Sequence, residues 1–124
     1  MKKSIYTGLL ALMFVAGANA QDGKILKAEK DYQAYAYSSA IDRYEEISEK
    51  SSEVMRKLAD SYFKTGDYEN AEMIYEKLVN ASDHNAADIY NYASVLSMNK
   101  KYEQAEQWMS VFHRENPSDS RGAA

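Results

Sequence analysis

Lys64-Thr65-Gly66-Asp67-Tyr68-Glu69-Asn70-Ala71, followed by Tyr75 and Leu78, is the stretch that sets the fold. It returns, altered, as Asn99-Lys100-Lys101-Tyr102-Glu103-Gln104-Ala105, followed by Met109 and Phe112. Tyr68 and Tyr102 are 34 residues apart, and so are Ala71 and Ala105. A turn and an apolar pattern that recur at this interval indicate stacked helical hairpins, because a single hairpin cannot bury its own apolar face.

Working outward, the chain divides into three such pairs. The first helix runs from Asp22-Gly23 to about Ala36, with Ile25, Ala28 and Tyr32 on one face. Tyr37, Ala40, Tyr44 and Ile47 mark the face of the second, and Ala40 is small enough for close helix approach. Ser51-Ser52-Glu53 breaks the pattern and can cap a third helix, roughly Ser52 to Lys64, carrying Met55, Leu58, Ala59 and Tyr62. Gly66 supplies the positive φ that ends this helix, and Asp67 can cap the next. The fourth helix, about Tyr68 to Asn80, carries Tyr68, Ala71, Tyr75 and Leu78, and residues 80–85 form a polar linker. Ile89, Tyr92, Ala93 and Leu96 mark the fifth helix, and Tyr102, Ala105, Met109 and Phe112 the sixth. Asn116-Pro117 stops it, since proline cannot continue a helix without loss of a hydrogen bond.

At the amino terminus, Met1-Lys2-Lys3 precedes an apolar run from Ile5 to Ala16 and the small-residue triplet Ala18-Asn19-Ala20. This order predicts a secretory signal cleaved after Ala20. The apolar run is short for a membrane span, and no cysteine is present for a lipoprotein anchor. The expected organisation is a signal at 1–20, a degenerate first hairpin at 21–50, a second repeat at 51–84, a third at 85–117 and a tail at 118–124. The formal net charge is -4, and loss of Lys2 and Lys3 leaves 13 basic against 19 acidic residues. Such a surface repels a phosphate backbone, which argues against general nucleic-acid binding.

Leu58, Ala59, Tyr62, Gly66, Tyr68, Ala71, Tyr75 and Leu78 resemble the tetratricopeptide (TPR) repeat at its signature spacing. Tyr92, Ala93, Leu96, Tyr102, Ala105, Met109, Phe112 and Pro117 resemble it a second time. The resemblance implies an all-α, TPR-like solenoid of three helix-turn-helix hairpins after the signal. Ala40 precedes Ala71 by only 31 residues, so the first junction is three residues short of the period. Further similarity extends through Lys27-Ala28-Glu29-Lys30-Asp31-Tyr32, Tyr35-Ala36-Tyr37, Ala40-Ile41-Asp42, Lys57-Leu58-Ala59-Asp60-Ser61-Tyr62 and Asn116-Pro117-Ser118-Asp119-Ser120-Arg121. These segments resemble the start of Bacteroidetes OmpA-family outer-membrane proteins. In that family the repeats are followed by a β-propeller-like region and a peptidoglycan-binding domain, and some members act with the type IX secretion machinery. The resemblance implies an amino-terminal module without the peptidoglycan-binding residues, exported to the periplasm or associated with the outer membrane.

The expected function is non-catalytic protein–protein interaction in the bacterial cell envelope. By repeat position, the inner faces of the first helices comprise Arg56, Asp60, Phe63 and Lys64, then Tyr90, Asn91, Ser94 and Met98. A protein or peptide partner is expected there, with Arg56, Lys64 and Asn91 holding its backbone or carboxylates. Phe63, Tyr90 and Met98 would take apolar side chains. Trp108, Val111 and Phe112 are expected to stand partly uncovered as a second docking patch. Tyr44, Tyr62, Tyr68, Tyr75, Tyr92 and Tyr102 are expected to pack helix on helix with their hydroxyls reaching the surface. Alternatives are a free-standing periplasmic TPR adaptor and, from another class, a hydrolase using Glu45, Glu46 or metal-bound histidines. His84, near Asp83 and Asp88, and His113, near Glu115, lack paired ligand spacing, so no metal or cofactor is expected. No phosphate loop or nucleophile motif is present, and no catalytic residues are expected.

Overall fold

A computed structural model describes residues 21–119, and the expected signal segment lies outside them. These residues form helices joined by short turns, with no strand among them. Helix α1 covers residues 21–33, α2 Tyr37–Glu45, α3 Ser52–Lys64, α4 Tyr68–Val79, α5 Ala86–Met98 and α6 Tyr102–Glu115. The chain divides into two compact units, Met1–Glu49 and Lys50–Ala124.

The first unit contains the α1–α2 hairpin. The Gln21 side chain donates to the Glu49 carbonyl at 2.9 Å, and Arg43 Nε on α2 donates to Asp31 Oδ2 on α1 at 2.6 Å. The start of one helix thus meets the chain beyond the end of the other, as an antiparallel pair requires. Ala28, Ala40, Tyr44 and Ile47 are buried. Ile47 lies beyond the end of α2, and α1 ends earlier than its apolar spacing suggests.

The second unit stacks α3–α4 and α5–α6. Ser51 begins α3 by accepting from the Val54 amide, and Asp67 begins α4 by accepting from the Asn70 amide. Glu53 in the first turn and Lys64 in the last turn of α3 complement its dipole. Ala59 and Ala71 are completely buried, so α3 and α4 meet where neither has bulk. The core joins Ala59, Ala71, Tyr75, Leu78, Ile89, Tyr92, Val95, Leu96 and Phe112 across all four helices. Buried Ser61 is accommodated because its hydroxyl donates to the Lys57 carbonyl at 2.7 Å. Tyr44 and Tyr75 bury almost completely rather than extend to solvent, and Tyr102 does the opposite, with 63% of its surface exposed.

One turn geometry closes all three hairpins. The amides of Gly66 and Asp67 donate back to the carbonyls of Phe63 and Tyr62, satisfying the last acceptors of α3. Lys100 and Lys101 donate in the same way to Ser97 and Leu96, and Tyr35 and Ala36 to Tyr32 and Asp31. The central residue takes a left-handed conformation each time, with φ of 60° at Tyr35, 83° at Gly66 and 64° at Lys100. Only Gly66 adopts it without a side-chain penalty.

Polar contacts fasten the two hairpins of the second unit at both ends of the stack. At the α4 start, Asn99 Nδ2 donates to the Tyr68 carbonyl at 3.0 Å and to Glu72 Oε1 at 2.8 Å. Lys101 Nζ donates to Glu72 Oε2 at 2.6 Å. Burial pushes the Glu72 carboxyl up, but the hydrogen bonds from Lys101 and Asn99 outweigh it and hold the group below its ordinary value of 4.5. The same contact raises Lys101.

Two predictions follow from these features. An alanine at Gly66 meets no atom within 4 Å, so Gly66→Ala tests backbone strain alone. It should cost about 1 kcal/mol, whereas Lys100→Gly should gain up to about 1 kcal/mol, both read from urea midpoints. Because the folded Glu72 pKa is lowered, its stabilisation is complete above the unfolded value and is lost as pH falls through the folded one. Urea titrations of wild type and Glu72→Gln should therefore differ at pH 7 and converge as pH drops below 4.5.

Candidate functional site

The inner faces of α3 and α5 enclose a recess of about 220 Å³ lined by Asp60, Phe63, Lys64, Tyr75, Tyr90, Asn91 and Ser94. Six of the eight residues expected to form a groove are thus brought together, and Tyr75 of α4 joins them. Helical spacing explains the convergence. Asp60, Phe63 and Lys64 share a face of α3, and Tyr90, Asn91 and Ser94 share a face of α5.

The apolar wall consists of Phe63, Tyr75 and Tyr90. Phe63 meets Tyr68 edge to face at 5.2 Å, and Tyr90 lies 5.4 Å from Phe112. Each of these two rings thus packs against a second aromatic ring. The rim carries the carboxylate of Asp60, the ammonium of Lys64 and the amide of Asn91. Ser94 faces the recess with its hydroxyl already donating to the Tyr90 carbonyl at 2.9 Å. Chemically, this arrangement accepts one apolar or aromatic side chain and offers the neighbouring backbone both hydrogen-bonding signs. Repeat spacing assigns Tyr75 to packing alone, and its place in the lining emerges only when α4 is set beside α3 and α5.

Arg56 has a different role from the one expected. Its Nε and Nη2 each donate to the Asp88 carboxylate at 2.9 Å, and Nη2 also donates to the Asp83 carbonyl at 3.0 Å. Hydrogen bonding to Asp88 raises the Arg56 pKa. Asp88 is only 1% exposed, and its Oδ2 also accepts from the Asn85 amide at 3.0 Å. Its own amide donates to Asn85 Oδ1 at 3.0 Å, which completes a capping box at the start of α5. Arg56 therefore joins two repeats and is not available to hold a partner's carboxylate. Met98 is 47% exposed at the end of α5 and does not line the recess.

The expected Trp108 patch is also revised. Phe112 is fully buried in the core beside Tyr90. Trp108 and Val111 are half-buried, and the indole meets Tyr92 at 5.3 Å. Burial, followed by the charges of Glu76 and Glu72, raises the Tyr92 hydroxyl. His84 Nδ1 lies 2.9 Å from the Ala81 carbonyl, and Asp88 is turned inward to Arg56. Among the described residues no three His, Cys, Asp or Glu side chains are grouped to hold a metal ion. No helix among them is long and apolar enough to cross a membrane.

Residues 64–123 match the family model described as anaphase-promoting complex, cyclosome, subunit 3, a TPR-like repeat family. A search of curated proteins returns no match. The all-α hairpins and their turns form a TPR-like helical-repeat fold, and this similarity agrees with it. Repeats of this type generally mediate protein–protein interaction.

The Arg56–Asp88 contact should dominate stability at this end of the stack. Arg56→Ala leaves a buried carboxylate without its cation and should cost about 3–5 kcal/mol. Adding Asp88→Ala should recover part of that loss, and a double-mutant cycle from urea unfolding measures the coupling.

Proposed function

We propose that this chain is a non-catalytic protein-interaction module that anchors an extended segment of a partner through the α3–α5 recess. The supporting observation is that recess itself: an aromatic wall of Phe63, Tyr75 and Tyr90 beneath the polar rim of Asp60, Lys64 and Asn91. One apolar side chain enters, and the Asn91 amide pairs with the adjacent backbone. A buried aromatic or aliphatic anchor contributes roughly 1.5–3 kcal/mol, so specificity rests on one pocket and its rim.

The finer setting in this proposal is the bacterial cell envelope. The basic start, apolar run and Ala18-Asn19-Ala20 triplet support export with cleavage after Ala20. The similarity of the repeat segments to OmpA-family amino-terminal regions supports a periplasmic or outer-membrane-associated location, with type IX secretion as one such context. Expression with the leader intact and mass spectrometry of the periplasmic fraction tests export, and a mature chain beginning at Gln21 is the expected product.

The recess is tested by selecting displayed peptides on the wild-type chain. Asn91→Arg fills the opening without touching the α5–α6 face, and Lys64→Glu reverses its rim charge. Together they should reduce binding of the selected peptides at least about tenfold while helicity is retained. Peptides that bind the double variant as well as wild type would place the interaction elsewhere.

A further inference from the structure

The α5–α6 hairpin carries a second hollow, of about 460 Å³, on the face lined by Ala93, Ser94, Ser97, Tyr102, Ala105, Glu106 and Met109. Stepping back 34 residues from five of these gives Ala59, Tyr68, Ala71, Glu72 and Tyr75 on α3–α4. That earlier set receives α5. Ala59, Ala71 and Tyr75 belong to the core that α5 completes, and Glu72 accepts from Asn99 and Lys101 just past the α5 end. Tyr68 is half-buried there, but its counterpart Tyr102 is 63% exposed. The α5–α6 hairpin therefore repeats a helix-receiving surface: two small alanines, an aromatic ring, and an acid positioned to meet the end of a helix.

We propose that this hollow receives an α-helix of a partner protein, apolar along one face and bearing a lysine or carboxamide just past its carboxy-terminal end. The repeat relation identifies this chemistry, because Glu106 stands where Glu72 binds Asn99 and Lys101. Charge complementarity adds to it: Glu103 and Glu106 lie exposed beside Tyr102, and the carboxy-terminal end of a helix favours a basic residue. The hollow differs from its template in two ways that shape the occupant. Ser97 replaces Phe63 and Met109 replaces Tyr75, so there is more room for the visiting helix. The surface is separate from the α3–α5 recess except for Ser94 at their border, so one can fail while the other stands.

The probe is a synthetic peptide of residues 85–101, the helix and turn that occupy the equivalent surface within the chain. A short helix is marginal alone in water, so the peptide is cross-bridged on its solvent side to be helical before binding. Fluorescence anisotropy with the full chain should show saturable binding. Glu106→Lys in the chain should weaken it about tenfold, the size expected for loss of a charge-assisted hydrogen bond. Lys101→Glu in the peptide should do the same, and the two reversals combined should restore most of the affinity. Ser97→Arg, on an exposed position, should abolish binding with the circular dichroism unchanged. Absence of saturable binding by the bridged peptide overturns the proposal, as does binding indifferent to Glu106→Lys and Ser97→Arg. Sedimentation equilibrium supplies the remaining arm. Self-association of the chain that disappears with Glu106→Lys would make a second copy the occupant and overturn assignment to a partner.

Discussion

The buried carboxylate of Asp88 is the constraint on which the second unit depends. A charge removed from water is tolerated only with a counter-ion and with its lone pairs occupied. Arg56 provides the first through a two-pronged contact, and the Asn85 amide helps with the second. Arg56 comes from one repeat, Asp88 from the next and Asn85 from the linker between them. The start of α5 is consequently fixed in register against α3, and Ser52 adds a hydrogen bond to Asp83 at the same end. The inner faces that form the recess are aligned by this fixed start. The ion pair thus acts with the shared apolar core to hold α3 and α5 side by side.

Much of the fold was legible because it rests on short-range chemistry. Gly66 and Asp67 announce a turn by themselves, and the alanines at 71 and 105 mark close helix approach at the repeat interval. The helix boundaries of α3 follow directly from Ser51 and from the turn after Lys64. Most of the recess was also legible, since residues on the same helical face must converge once two hairpins stack. What escaped were pairings between distant positions. Nothing local in Arg56 distinguishes a guanidinium free for a partner from one turned toward a carboxylate 32 residues later. A signal for part of Asp88's role did exist: Asn85 with an acid three residues on has the form of a capping box. Phe112 and Tyr102 were assigned opposite exposures from those observed. Repeat position gives the face a side chain occupies but not whether a neighbouring element covers that face.

The two candidate surfaces differ in what they recognise. The recess between α3 and α5 is narrow and aromatic, and it suits a single protruding side chain on an extended backbone. The hollow on α5–α6 is broader and floored by small residues, and it suits the ridge of a helix. TPR-like repeats accommodate both modes because the face turned inward and the face that stacks belong to the same helices at different angles around the axis. The acidic balance of the chain acts on both, favouring partners with basic or neutral contact surfaces.

Arg56 has no basic successor in the next repeat, because Tyr90 occupies the position 34 residues on. The stack within this unit is latched at both ends, by Asp88 at one and Glu72 at the other. The following surface preserves only the acidic latch, at Glu106. An element seated there is pinned at its carboxy-terminal end while its beginning is left to swing. An occupant held at that one end would dock over a wider range of angles than α5 can against α3–α4.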